Sequence, residues 1–88
     1  LDKALAAIEE AANNPKTAES AKTWYYRGEI FLAIFGSETY ASLAKDPLAS
    51  ALESYIRSIK LDTKNDFADD SKRKVASATA NLYNRGVD

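Results

Sequence analysis

The side chains with chemical reach in this sequence form a few clusters. Tyr25 and Tyr26 precede Arg27, and Tyr83 and Arg85 repeat that pairing near the end of the chain. Acidic residues come as neighbours, Glu9-Glu10 and Asp69-Asp70, and a basic run, Lys72-Arg73-Lys74, follows the second pair. Adjacent residues on a helix point roughly 100° apart, so each acidic pair diverges around its helix instead of converging on one site. The sequence contains neither histidine nor cysteine. That removes disulfides, thiolate metal ligands and the side chain that ordinarily titrates near neutral pH, and a metal site would need carboxylates alone. There is no phosphate-cradling glycine loop and no nucleophile with a base partner. The residues therefore read as non-catalytic, with no cofactor and no metal.

The charged clusters also bound the partners. Asp69 and Asp70 stand four residues before Arg73 and Lys74, a spacing that neutralises the basic run on its own helix. The net charge is −1, so no global field recruits nucleic acid. No apolar run approaches the ~20 residues that span a bilayer, so no membrane insertion is expected. Arg27 and Arg85 have two uses open to them. They can hold a ligand carboxylate, or lay their stems over apolar surface with the guanidinium at the edge; the second is the expectation adopted.

The elements that must position these residues are helical. Abundant Ala, Leu, Glu and Lys, with three glycines and two prolines in 88 residues, favour helices over a turn-rich β domain. In residues 1–14, Leu1, Ala4, Leu5, Ile8, Ala11 and Ala12 share a stripe, with Asp2, Lys3, Glu9 and Glu10 opposite, and Asn13-Asn14-Pro15 ends the helix. Thr17 is the expected N-cap of a second helix running to Phe35. That helix places Trp24, Gly28, Phe31 and Phe35 on one face, Ile30 and Ile34 on another, and Tyr25, Glu29 and Leu32 on a third, so neighbours must contact it from two sides. A short helix over 37–45, carrying Tyr40 and Leu43, is also expected. Asp46-Pro47 starts the next helix as N-cap and first residue, with Leu48, Ala51, Leu52, Tyr55, Ile56 and Ile59 as its stripe and Glu53 paired to Arg57. A last helix begins near Asn65 or Asp66, with Asp66, Asp69 and Asp70 at its positive end.

Two internal echoes organise these helices. Trp24-Tyr25-Tyr26-Arg27-Gly28 returns as Leu82-Tyr83-Asn84-Arg85-Gly86, and Ala4-Leu5-x-x-Ile8-x-x-Ala11 returns as Ala51-Leu52-x-x-Tyr55-x-x-Ser58. Two helix types thus alternate, as in an array of helical hairpins. At these residues the chain resembles the tetratricopeptide repeat (TPR) family. Trp24, Gly28 and Phe31 meet its first-helix pattern, and Ala51, Tyr55 and Leu61-Asp62 its second. It departs from that pattern at Arg27 and Arg85 in place of leucine, Ser58 in place of alanine and Thr63 in place of proline. Gly28 to Ala51 is also about eleven residues longer than the family's spacing.

The resemblance implies an all-α fold, antiparallel hairpins stacked as a short right-handed superhelical array. Residues 1–14 would be the second helix of a preceding repeat, 17–63 a full repeat with an insert near 37–46, and 65–88 the first helix of a following repeat. Trp24, Gly28, Phe31, Ala51, Tyr55 and Gly86 would define the repeats. Lys22, Tyr25, Glu29, Leu32 and Tyr83 would face a groove that takes a peptide or partner protein. The competing account is that the tyrosine rings pack between helices with their hydroxyls at the rim. The family's carboxylate clamp is not expected, because the comparable positions read Tyr25, Glu29, Tyr83 and Val87. The function implied is a non-catalytic protein–protein interaction scaffold. The alternatives are a ligand-binding or regulatory domain of a larger exported protein, or a structural spacer. With Leu1 first and no methionine, the chain reads as a segment of a longer protein. Similarity to repeat proteins of bacterial cell envelopes leans toward export, with the cytoplasm as the alternative. Self-association through the exposed end helices is a further expectation.

Overall fold

The computed structural model describes residues 2–37 and 45–87, with side chains as far as Ala80. The expected short helix over 37–45, with Tyr40 and Leu43, falls mostly on 38–44, outside the described residues, and so does most of the insert near 37–46. The side chains of Leu82, Tyr83, Arg85 and Val87 lie outside them too, as does the placement of Gly86 within its surroundings.

Among the described residues the chain is all-helical and has no strand. Its elements are α1 (Asp2–Asn13), α2 (Ala21–Phe35), α3 (Pro47–Leu61) and α4 (Ala68–Val87). Packing follows chain order, α1 on α2, α2 on α3 and α3 on α4, and the α2–α3 interface is the most extensive. Phe31 and Ile34 of α2 meet Ala51 and Tyr55 of α3 as the central cluster, with Leu5, Tyr25, Ile30, Leu32 and Val75 packed around it. Trp24 and Leu48 extend the core along the same pair of helices. α1 buries no residue fully; its stripe is half-covered and lends Leu5 to the cluster.

The helix ends show where local chemistry departs from expectation. Thr17 does not cap α2. Its hydroxyl donates to the Ala11 carbonyl at 2.5 Å and its amide to Asn14 at 3.0 Å, so it closes the end of α1. The residues between α1 and α2 form turns, and α2 starts at Ala21 after Ser20, whose side chain makes no capping bond. At α3 the expectation matches: the Asp46 carboxylate accepts the Ala49 amide at 3.3 Å, with Pro47 in the first turn. α4 begins at Ala68, two to three residues later than expected. In the turn before it, the Asp62 carboxylate accepts the amides of Asp66 at 3.0 Å and Phe67 at 2.7 Å. The turn passes through Asn65 at φ 60°, a left-handed conformation that asparagine tolerates better than most residues.

At Gly28 the Tyr55 ring of α3 packs directly against the α2 backbone. A Cβ built on it would lie 2.8 Å from Cε1 of Tyr55 and 2.9 Å from two more ring atoms. Tyr55 is fully buried and has nowhere to retreat. Alanine ordinarily gains about 1 kcal/mol over glycine inside a helix, but overpacking costs about 1–3 kcal/mol. Gly28→Ala should therefore lower the melting midpoint despite its better helix propensity, and Gly28→Leu should lower it further. A midpoint unchanged or raised in both variants would show that the ring yields freely.

Candidate functional site

The candidate surface begins with the expected groove residues of α2. Tyr25 is half-buried, its ring stacked on Phe67 with centroids 4.9 Å apart and set edge-on to Tyr26 at 5.4 Å and to Tyr55 at 6.0 Å. Its hydroxyl donates to Asp70 of α4. Glu29, one turn along, accepts the Tyr55 hydroxyl at 2.5 Å and pairs with Lys74 of α4 at 3.3 Å. Leu32 packs half-buried against the central cluster. Lys22 is exposed, its ammonium 6.0 Å from the Tyr26 ring centroid. The structure thus brings Tyr25 and Glu29 to the seam between α2 and α4 and engages both within the chain. It leaves Lys22 facing solvent.

Two residues of this surface lie outside the expected groove set, although the sequence marks Tyr26, paired with Tyr25, as part of a candidate tyrosine surface. Tyr26 is 45% exposed and lies at the seam, its ring 6.4 Å from Phe67. Phe67 sits in the turn before α4, which starts at Ala68. The adjacent tyrosines signalled Tyr26, whereas Phe67 depended on the late start of α4, which the sequence pattern masked. Lys22 and Phe67 also border an open cleft of about 340 Å³, completed by Ser20, Asp62, Lys64 and Asp66.

The hydrogen bonds set the protonation of these groups. The bond to Asp70, with burial and the nearby carboxylates, pushes the Tyr25 phenol up to about 12. Burial, then the bond to Glu29, raises Tyr55 as well. Reciprocally, the Tyr25 hydroxyl and then Arg73 hold Asp70 below the usual carboxylate range against partial desolvation. Desolvation also opposes ionisation of Asp62, but the amides of Phe67 and Asp66 outweigh it and keep that carboxyl low.

A second polar assembly joins the helices on the side of α1. Arg27 donates to Glu9 of α1 and, at 2.7 Å, to Ser54 of α3, with its guanidinium over the rings of Phe31 (4.8 Å) and Trp24 (5.3 Å). Its side chain is only 14% exposed, so it lies deeper than an arginine with its guanidinium at an edge. Glu9, expected on the solvent face, is its partner because α2 crosses α1 there. Trp24 donates from its indole nitrogen to the Ala18 carbonyl at 2.7 Å. Arg57, expected to pair with Glu53, places its guanidinium 4.6 Å from the Trp24 ring instead. Buried Ser58 donates to the Ala21 carbonyl at 2.8 Å. Serine in place of alanine there binds α3 to the start of α2.

The basic run also pairs differently from the expected spacing. Arg73 meets Asp70 at 3.2 Å, three residues away, and Lys74 crosses to Glu29. Among the described residues, no group of acidic side chains is arranged to hold a metal ion, and no helix is long and apolar enough to cross a membrane.

The two assemblies predict distinct responses. Lysine cannot reproduce the planar fork and ring stacking of arginine, so Arg27→Lys should cost about 1–3 kcal/mol in urea unfolding. Glu9→Gln should cost under about 1 kcal/mol, because the Glu9 side chain is 41% exposed and water screens the pair. For Tyr25 the sign follows from a raised folded pKa: its contribution is complete below the ordinary phenol pKa near 10 and is lost as pH rises toward about 12. For Asp70 it is reversed: the contribution is present above the ordinary carboxyl value of 3.8 and is lost as pH falls below it. Tyr25→Phe should therefore flatten both limbs of the stability–pH curve, a result that melting scans from pH 2 to about 12 would check.

No family model, no curated protein and no solved structure matches the chain.

Proposed function

We propose that this chain is a non-catalytic interaction scaffold of the tetratricopeptide-like type, its hairpins continuing as a right-handed array, and that it binds a peptide or partner protein along α2 and its seam with α4. The array reading is supported by the echo of residues 24–28 in 82–86 and by the small-against-large contact of Gly28 with Tyr55. The observation that carries the binding reading is Tyr26. This large ring is 45% exposed and flanked by Lys22 and Phe67, two residues that line an open cleft. Tyrosine in such a setting combines a rigid apolar face with a polar tip, which suits it to protein contacts. Lys22 adds a solvated positive charge beside it. Tyr25 and Glu29, held to α4, act as the floor that positions these two.

A displayed library of random peptides tests the reading. Peptides selected on the whole chain should lose about tenfold or more in affinity on Tyr26→Ala, and less on Lys22→Ala. Ile56→Ala, on the outer face of α3 and similarly exposed at 43%, should leave affinity unchanged. A library that yields no binder, or binders indifferent to Tyr26, would favour a structural spacer.

A further inference from the structure

We propose that α4 is a releasable helix, latched onto α2 by a polar clasp and able to leave while the α2–α3 hairpin stays folded. The contrast between its two sides motivates this. The α2–α3 interface buries Trp24, Phe31, Ile34, Leu48 and Tyr55. Over 68–80, α4 fully buries only Ala68, Ser71 and Ala78, and adds Val75 at the edge of the core. These are small side chains, and the driving force of burial scales with apolar area. Ser71 weakens the docked face further, since its Oγ is buried with no hydrogen-bond partner, and an unpaired buried hydroxyl opposes docking.

Between residues 68 and 80, what remains to hold α4 against α2 is polar. Tyr25 donates to Asp70, which Arg73 also engages, and Glu29 pairs with Lys74 at 3.3 Å. Lys74 and Glu29 are each about one third exposed, so water competes directly for that pair. The pivot is built just upstream. Asp62 fixes the amides of Asp66 and Phe67, and Phe67 stacks on Tyr25, so this turn stays anchored while the helix beyond it moves. Asn65, at φ 60°, supplies the sharp change of direction. Release frees the Tyr25 hydroxyl and gives the Glu29 carboxylate back to water on its α4 side, while Tyr55 keeps its bond to Glu29.

Hydrogen exchange on the whole chain, read by mass spectrometry, tests the latch. In the unaltered protein, peptides from 68–80 should exchange about tenfold or more faster than those from 24–34 and 48–58. Tyr25→Phe and Lys74→Met should each accelerate 68–80 further and leave the other two segments unchanged. The first is the sharper arm, because the change lies on α2 and the readout on α4. Ser71→Ala should slow 68–80, by removing the unpaired hydroxyl. Exchange of all three segments in step, or clasp variants that speed them equally or leave 68–80 unmoved, overturns the proposal, as does faster exchange of 68–80 in Ser71→Ala.

Discussion

The contact between Gly28 and Tyr55 is the constraint on which the rest of the structure depends. With no Cβ at position 28, α3 can press an aromatic ring against the α2 backbone, and the ring becomes fully buried. Burial then imposes a second requirement. A phenol hydroxyl left unpaired in the interior costs about 1–3 kcal/mol, and Glu29, one residue past the glycine, receives it. Glu29 is thereby drawn to the seam, where it meets Lys74. One missing methyl group thus fixes the spacing of a hairpin, the direction of an acidic side chain and the place where the next helix attaches.

Polar side chains inside so small a core need a reason. Arg27 supplies one: α1, α2 and α3 meet at its guanidinium, through Glu9, Ser54 and the rings of Trp24 and Phe31. Leucine at that position would bury comparable apolar surface, and buried ionic groups often contribute little net stability. The arginine provides direction. Its fork is satisfied when α1 presents Glu9 and α3 presents Ser54, whereas an apolar side chain would accept many relative placements of the helices. Ser58, bonded to the Ala21 carbonyl, limits sliding of α3 along α2 in the same way. Register here is set by hydrogen bonds laid over a modest apolar core.

The helices were legible because each carries a stripe at the helical period, and the start of α3 was legible because Asp46-Pro47 states both its cap and its first residue. Gly28 could be singled out because glycine in a greasy helix needs a packing reason. Thr17 misled because a threonine between two helices can serve either end, and only the fold decides that Ala11 is near enough to receive its hydroxyl. The start of α4 was hidden in a similar way, because the pattern does not show that Asn65 turns left-handed and that Asp62 holds the amides of Asp66 and Phe67 in the turn. The pairings of Glu9 with Arg27 and Lys74 with Glu29 link separate helices, so spacing along one helix could not reveal them. Tyr25 and Glu29 share a face of α2 by their spacing, but what that face meets is a property of α4.

Trp24 has a practical consequence. It is the only tryptophan in the sequence, almost fully buried, tied through its indole nitrogen to the stretch leaving α1 and bordered by the guanidinium groups of Arg27 and Arg57. Its fluorescence is a built-in optical gauge of the joint between α1, α2 and α3, with the charges beside the ring tuning its colour. Asp70 and Lys74 of α4 meet α2 on its other side, at Tyr25 and Glu29. A shift in the indole emission therefore locates a movement at the joint of the first three helices.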